Sequence, residues 1–358
     1  MEQFVRAGFN SQNLPLYNCS QHSSEYWTEY TGAKHPFVAY YSWTLGTISM
    51  LCYIPCIFAM LSKNLYRHSA YKIMVYLSIV DVCGITTSCF LFGYFMMHGY
   101  VFCTSPDMMY VYGSIVITLW CSECSTCWLL TVNRLVEICS PTLTRVLFQG
   151  SRAYLTLLIP FSWGVIIFLW HPSCILNSVV GAELNDPLIF PNRTQDYVDY
   201  KQHFNNFFFG VGNVVLYALL YLLFHNKFSE YFNETGNRRD KYMFVQVVII
   251  ACLNIIVCFL YILLLYFQMP SVITLVAHTT YQMIHCSPSF IYLLMNKSIR
   301  KEIGKIFCGR IDSSRALNKV GTGSLYPGRR ITSSTNDKNS IHARELTHSS
   351  SSQIYHFA

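Results

Sequence analysis

Charged residues are scarce in this sequence. Lys, Arg, Asp and Glu make up 12% of its 358 residues, about half of the roughly 25% in an average soluble domain. Hydrophobic residues reach 53%. So few charges cannot cover the surface of a soluble protein of this size, and no basic folded domain is present to bind nucleic acid. We therefore expect a membrane protein with no nucleic-acid partner.

Motifs typical of enzymes are also missing. The sequence has no phosphate-binding P-loop, no HExxH pair and no nucleophile motif, so we predict no enzyme activity, no catalytic residues and no cofactor. The run Cys121-x-x-Cys124-x-x-Cys127 has the spacing of a metal site. No His pair accompanies it and its surroundings are apolar. We interpret it as small residues at a helix interface, with no metal.

A cleavable signal peptide is the third absence. Residues 1–37 are polar and aromatic and lack a basic start followed by a short apolar core. We therefore expect the first apolar stretch of the chain to act as its own insertion signal.

Seven apolar stretches make up most of the chain. A helix needs about 20 mostly apolar residues to cross a bilayer, and in lipid the backbone must satisfy its own hydrogen bonds. Asp81 and Glu123 are the only Asp, Glu, Lys or Arg residues in these stretches. We predict an all-α integral membrane protein, a seven-transmembrane helix bundle over residues 38–297. The predicted spans are Val38–Leu61, Ile73–His98, Met108–Asn133, Ala153–Trp170, Phe204–His225, Tyr242–Phe267 and Ser271–Met295.

Basic residues predict the orientation of this bundle. If the N-terminus is outside, 21 of the 25 Lys and Arg residues lie in the inner loops and tail, as the positive-inside rule requires. Residues 1–37 then form an extracellular segment of a multi-pass plasma-membrane protein. Two N-x-S/T sequons fall outside, at Asn18 and Asn192, and we predict glycosylation there.

Cysteines outside the apolar stretches can form disulfides in the extracellular compartment. Cys103 precedes the third stretch and Cys174 follows the fourth. We predict a Cys103–Cys174 bond, with Cys19 as the alternative partner.

The tail changes character along its length. Residues 298–308 place Ile299, Ile303 and Ile306 on one helical face and basic residues opposite, which predicts an amphipathic helix against the lipid of the inner surface. Cys308 ends this helix and is a candidate for palmitoylation. Residues 309–358 are rich in Ser and Thr with few large apolar groups, which predicts a disordered cytoplasmic tail.

Four polar residues within the apolar stretches fall at similar depth. At about 1.5 Å per residue, Asp81, Glu123, Asn254 and His285 lie about 12–18 Å from the inner ends of their helices. Ionisable groups in a membrane are costly and therefore indicate function. If the carboxylates of Asp81 and Glu123 lie close together, both cannot stay ionised unaided, so they must share a proton or bind Na⁺. Alternatively, each acid is simply neutral and hydrogen-bonded.

The order of several short segments resembles the nematode serpentine chemoreceptors of class T, and more distantly the rhodopsin-like G-protein-coupled receptors. Asp81 matches the acid of the second span, and Arg134 the arginine at the end of the third. Pro288 and Tyr292 match the seventh-span proline and tyrosine, one residue further apart than in the wider pattern. The remaining matching segments are Tyr17-Asn18-Cys19-Ser20, Tyr53-Ile54-Pro55-Cys56, Tyr71-Lys72-Ile73-Met74 and Asn296-Lys297-Ser298-Ile299-Arg300.

The resemblance implies a chemosensory receptor that couples to a heterotrimeric G protein through Asn133 and Arg134. Asn133 stands where the superfamily has an acid, so we expect the usual ion pair of that acid with the arginine to be absent. The tail would be where arrestin and a kinase dock, and the receptor would reside in a sensory cilium.

A small, mostly apolar extracellular ligand suits the polar and aromatic residues at the outer ends of the spans. The predicted ligand-binding residues are Tyr94, His98, Tyr110, Tyr112, Asn205, Asn206, Tyr261, His278, Tyr281 and Gln282. The alternative functions are a seven-helix transporter, for which no internal repeat is visible, and a ligand-gated channel. An insect-type chemoreceptor channel would place its N-terminus inside, against the distribution of basic residues.

Overall fold

Seven long helices dominate the structure, a computed structural model that describes residues 1–231, 238–267 and 269–306. Their starts and ends fall close to the predicted spans, and α3 continues past Asn133 to Cys139. The helices are α1 Pro36–Met60, α2 Ser69–His98, α3 Pro106–Cys139, α4 Arg152–Trp170, α5 Tyr200–Tyr231, α6 Arg238–Tyr266 and α7 Ser271–Met295.

Within the described residues, five of these helices are long and apolar enough to cross a membrane. They are α1 to α4 and residues Tyr200–Leu223 of α5. The sixth predicted span supplies a shorter apolar stretch, Val248–Leu264. α7 spans 25 residues but carries several polar side chains, which lower its mean hydropathy. The chain is thus a mostly helical, multi-pass membrane protein.

Most helices that are consecutive in the chain also pack together in the bundle. α1 packs on α2, α2 on α3 and α3 on α4. α5 packs on α3 and α6, and α7 packs on α6, α1 and α2. α3 is therefore the central helix, and α7 closes the ring against α1.

Prolines stand at the first helical positions of α1 and α3, Pro36 and Pro106, where the missing N–H costs nothing.

α2 contains a turn of π-helix between two α-helical parts. Ser69–Ile85 and Phe92–His98 are α-helical, and Thr86–Leu91 forms the π-helix between them. Single π turns inside α-helices are rare overall, and those that occur are often found at functional sites.

The connections include several short elements. They are the α-helices Glu2–Arg6, Ser24–Thr31, Lys63–Tyr66 and Pro141–Phe148, the 3-10 turns Ser11–Asn13, Pro15–Tyr17, Phe102–Thr104 and Thr194–Tyr197, and helical residues 297–306. Between α4 and α5, β1 (Ile175–Asn177) pairs antiparallel with β2 (Ala182–Leu184), with Leu176 opposite Glu183. We call these two strands the hairpin.

Residues 1–35 fold over one end of the bundle, the end at which α2 finishes and α3 begins. Phe4 and Tyr17 are buried, and both rings pack on Tyr110 of α3 with centroids 5.2 and 5.3 Å away. The amide and hydroxyl of Ser11 both donate to Oδ1 of Asp107 at 2.7 Å. This segment is therefore a folded cap.

The predicted Cys103–Cys174 bond is wrong, because the cap supplies the partner of Cys103. Cys103 is bonded to Cys19, the alternative partner, with the Cα atoms 5.5 Å apart. Folding of the cap brings Cys19 onto the turn Phe102–Thr104, whereas Cys174 is a free, buried thiol with its Sγ 3.4 Å from Oδ1 of Asn185. Cys19 and Cys103 are 84 positions apart in the sequence, so this pairing depends on the tertiary fold of the cap.

The tail is described only at its start. Residues 297–306 are helical, where an amphipathic helix is predicted, and Ile299 is buried. Cys308 and residues 309–358 lie outside the described residues, as does the predicted disorder of that segment.

Candidate functional site

The hairpin inserts an acid, Glu183, between α3 and α7. Oε1 of Glu183 accepts a hydrogen bond from the hydroxyl of Tyr112 at 2.8 Å, and Oε2 lies 2.8 Å from Nδ1 of His278. Nε2 of His278 lies 3.3 Å from the backbone oxygen of Ser88. The ring of Phe92 stacks on the imidazole with centroids 3.5 Å apart. Three helices and the hairpin thus meet at one buried group.

These contacts favour an ion pair. Burial alone would raise the pKa of Glu183, but the charge of His278 and the hydrogen bonds from His278 and Tyr112 lower it below its ordinary value. With Glu183 ionised, both ring nitrogens of His278 face oxygens that accept hydrogen bonds. The aromatic face of Phe92 further favours a cation there.

Close approach of the hairpin to α3 requires a glycine. A Cβ at Gly113 would lie 1.6 Å from the backbone oxygen of Cys174, which is far shorter than the distance between two non-bonded atoms. Burial raises the pKa of the Cys174 thiol, so it is a neutral group here.

A second buried pair fixes the two ends of the segment that carries the hairpin. Nε2 of His171, just after α4, lies 2.6 Å from Oδ2 of Asp199, just before α5. Burial alone would raise the pKa of Asp199, but the hydrogen bond and charge of His171 lower it. The segment is therefore held at its base as well as at Glu183.

The cavity beneath the hairpin is small. It measures about 20 Å³ and is lined by Trp120, Tyr261 and Tyr281 together with Glu183, Gln202 and Cys174. That is space for about one water molecule. A ligand would have to displace the hairpin or side chains to bind there.

The predicted ligand-binding residues divide into groups. Tyr261 and Tyr281 line the small cavity, and Tyr112 and His278 hold Glu183. Nε2 of Gln282 donates to the hydroxyl of Ser42 at 2.9 Å and to the backbone oxygen of Ser88 at 2.7 Å. The structure brings these five onto α3, α6 and α7 around one region.

The other five lie elsewhere. Asn205 and Asn206 accept hydrogen bonds from the indoles of Trp163 and Trp120, at 3.1 and 2.9 Å. Tyr110 packs against the cap. The remaining two, His98 and Tyr94, are exposed at the end of α2, where Nδ1 of His98 lies 2.9 Å from the backbone oxygen of Tyr94.

The predicted central residues converge on His285. Its Nδ1 lies 3.0 Å from Oδ1 of Asp81 and 3.9 Å from Oε2 of Glu123. The hydroxyl of Tyr53 on α1 donates to Oδ2 of Asp81 at 2.7 Å. All four side chains are buried. Both carboxylates thus face the same nitrogen of one imidazole.

Asn254 joins this cluster through sulfur. Its amide lies 3.9 Å from Sγ of Cys127, and that sulfur lies 3.9 Å from Oε1 of Glu123. Sγ of Cys124 lies 3.9 Å from Oδ1 of Asn254. Two of the three regularly spaced cysteines therefore sit at a helix interface. Across residues 1–231, 238–267 and 269–306, no group of His, Cys, Asp and Glu is arranged to hold a metal ion.

A glycine makes room for His285. A Cβ at Gly84 of α2 would lie 2.6 Å from three atoms of the imidazole ring. Oε2 of Glu123 and Nε2 of His285 are buried without a hydrogen-bond partner. The centre of the bundle is thus tightly packed around polar atoms that are not all satisfied.

The end of α3 carries the predicted coupling residues. Nη1 of Arg134 lies 3.0 Å from Oε2 of Glu137, one turn further on. The buried amide of Asn133 donates to the hydroxyl of Ser69 at 3.1 Å. As expected, no acid precedes the arginine, but its ion pair is supplied by Glu137.

Sequence reasoning missed several of these groups. Tyr53 reads as one aromatic residue in an apolar run, and only its place in a matched segment singled it out. Glu183 and Asp199 are two of several acids in a loop without periodicity. Trp120 was noted only as part of a segment that resembles the family. Asp107 and Ser88 gave no signal, because their roles depend on which backbone lies opposite.

The family model of the serpentine type 7TM GPCR chemoreceptor Srt matches residues 5–316. The chain is also similar to serpentine receptor class T-55 of Caenorhabditis elegans, with 23% identity over 294 residues, covering 82% of this chain and 80% of that receptor. This is a family of receptors and not of enzymes. The chain belongs to the Srt family of serpentine seven-transmembrane chemoreceptors.

Proposed function

We propose that this protein is a G-protein-coupled chemosensory receptor of the plasma membrane, in which all seven helices cross the bilayer and the cap is extracellular. It binds a small molecule from outside and activates a heterotrimeric G protein inside. Membership of a chemoreceptor family supports this. So does the distribution of Lys and Arg, since 21 of the 25 fall in the inner loops and tail when the N-terminus is assigned to the outside.

The observation that carries the proposal is the polar face of α7. His278, Gln282 and His285 recur at steps of four and three residues, so they lie on one face of the helix. His278 contacts the hairpin through Glu183, Gln282 contacts α1 and α2, and His285 contacts Asp81. A ligand that disturbs the hairpin therefore acts on the same helix that holds the central acids.

At the centre, we propose that Asp81, Glu123 and His285 share protons. Two buried carboxylates require a neutralising charge, and the imidazole that both of them face can supply it. A Na⁺ ion at Asp81 and Glu123 is the alternative. The approach of both carboxylates to Nδ1 of His285 supports the shared proton.

At the inner end, we propose that activation breaks the Arg134–Glu137 pair. Both side chains are partly exposed, at 15% and 32%, so the pair is within reach of a docking protein. Its contribution to stability is about 1 kcal/mol or less, which a docking partner can readily outweigh. Ligands bias receptors by binding one of two packings more tightly.

A reporter experiment tests the proposed function. Cells expressing the receptor and a G-protein reporter are screened with small volatile and lipophilic molecules. We expect an agonist whose response disappears when the G protein is depleted and falls strongly in Arg134→Ala, while surface expression is retained. A current that persists in excised membrane without G protein would instead identify a ligand-gated channel, and substrate accumulation a transporter.

A further inference from the structure

A lateral groove opens between α2 and α3 in the outer half of the bundle. Its volume is about 540 Å³, against about 20 Å³ for the cavity under the hairpin. Small-molecule sites generally measure about 300–1,000 Å³. The groove is therefore large enough for a ligand, and the cavity is not.

The groove opens sideways, between helices that are long and apolar enough to cross a membrane. Leu91 on one wall is 41% exposed, and Ile115 on the other is 37% exposed. Phe4 of the cap forms part of the lining near Asp107. Access is therefore from the bilayer, and the cap stands between the groove and the outside solution.

The accessible lining is almost entirely carbon. Two of its hydroxyl groups donate hydrogen bonds inside the protein. The hydroxyl of Thr87 donates to the backbone oxygen of Gly84 at 3.0 Å, and the hydroxyl of Tyr112 donates to Glu183. Oδ1 of the exposed Asp107 accepts from Ser11 of the cap. An occupant thus finds mainly apolar contact.

Two features connect the groove to the rest of the receptor. Thr87 and Leu91 belong to the π turn of α2, a local geometry common at functional sites. Tyr112 forms the wall between the groove and the hairpin, because its ring lines the groove and its hydroxyl holds Glu183. A molecule that moves this ring strains the Glu183–His278 pair.

We propose that the groove between α2 and α3 is the binding site for an apolar ligand of alkyl chemistry that reaches it from the outer leaflet, and that Tyr112 transmits its presence to the hairpin. The inference rests on the proposed receptor function and names its ligand class and route. Because the groove has a finite volume, ligand binding is saturable. Lipid acyl chains compete for the same surface, so the bound ligand is exchangeable.

Photolabelling tests this site without any signalling readout. Purified receptor in lipid nanodiscs is irradiated with a diazirine-bearing octanol, and labelled residues are mapped by mass spectrometry. We expect labelling concentrated at Leu91, Val111 and Ile115 and competed by excess octanol. Ile159 on α4, which is 64% exposed, should be labelled weakly and without competition.

Filling the groove supplies the matched variants. Val111→Trp should reduce the competable labelling at least fivefold, whereas Ile159→Trp should leave it unchanged. If Val111→Trp does not fold, Leu91→Trp fills the same space from the more exposed wall. Labelling that follows lipid exposure alone, equal at Ile159 and uncompeted, would overturn the proposal. That outcome is separable from failure of the receptor function, because the reporter screen can succeed without a site in this groove.

Discussion

The buried pair of Glu183 and His278 permits a quantitative prediction. Their side chains are 3% and 1% exposed, so solvent screening is small. Removing one partner of such a pair leaves an uncompensated charge and costs about 3–5 kcal/mol. Taking about 2 °C per kcal/mol, the lower end for large domains, Glu183→Gln should lower the unfolding midpoint by about 6–10 °C at neutral pH.

The assay is thermal unfolding in detergent, followed with a thiol-reactive dye that reports exposure of the buried cysteines. Asp196→Asn in the same loop is the matched control. Asp196 pairs with Arg193, but their side chains are 44% and 50% exposed, so its loss should shift the midpoint by about 2 °C or less.

Acidification tests the same pair with a defined sign. The pKa of folded Glu183 lies below its ordinary value of 4.5, so its contribution is fully present above pH 4.5 and is lost as the pH falls through the folded-state pKa. The gap between wild type and Glu183→Gln should therefore close on acidification. The double variant with His278→Asn should be no less stable than the worse single variant. Additive losses, or a gap that widens in acid, would refute the ion pair.

Two further sets of substitutions test the packing of the hairpin and the disulfide. Gly113→Ala should abolish surface expression because its methyl group overlaps the backbone of the hairpin, whereas Gly164→Ala, with no neighbour closer than 3.5 Å, should leave flow-cytometric surface staining unchanged. Cys19→Ser should cost about 2–5 kcal/mol of stability, measured as the thermal midpoint, and should be matched by Cys103→Ser. Cys174→Ser should cost less, since a hydroxyl can still donate to Asn185.

Glycosylation tests the proposed orientation. Asn192 is exposed and Asn18 half-buried, and both lie on the side of the cap. Replacing each with Gln should increase gel mobility by one glycan, and enzymatic deglycosylation should remove the difference. A glycan on Asn233, which lies between α5 and α6 in the sequence, would contradict the proposed orientation.

Much of the fold could be predicted because lipid makes the pattern simple. The apolar runs gave the helices, and depth along each helix brought Asp81, Glu123 and His285 to one level. Tyr281 and Gln282 were predicted from their place toward the outer end of the seventh span, and the structure puts Tyr281 beside the cavity under the hairpin. These inferences need only local geometry, at 1.5 Å per residue.

What failed depended on contacts between distant segments. The disulfide follows from a cap that folds back over α3, and nothing local in residues 1–35 indicates that. Glu183 gains its contacts from the hairpin register, and Tyr110 packs against two aromatic rings of the cap. Loop acids and aromatic residues carry no periodic signal, so their partners appear only once the chain is folded.

The most direct test of the account is nucleotide exchange on a purified heterotrimeric G protein, reconstituted in nanodiscs with the receptor and an agonist from the screen. We predict that agonist accelerates exchange, that Arg134→Ala abolishes the acceleration, and that Asp81→Asn combined with Glu123→Gln loses no more than the worse single variant. An agonist that binds the reconstituted receptor saturably but leaves exchange at its basal rate would contradict the account.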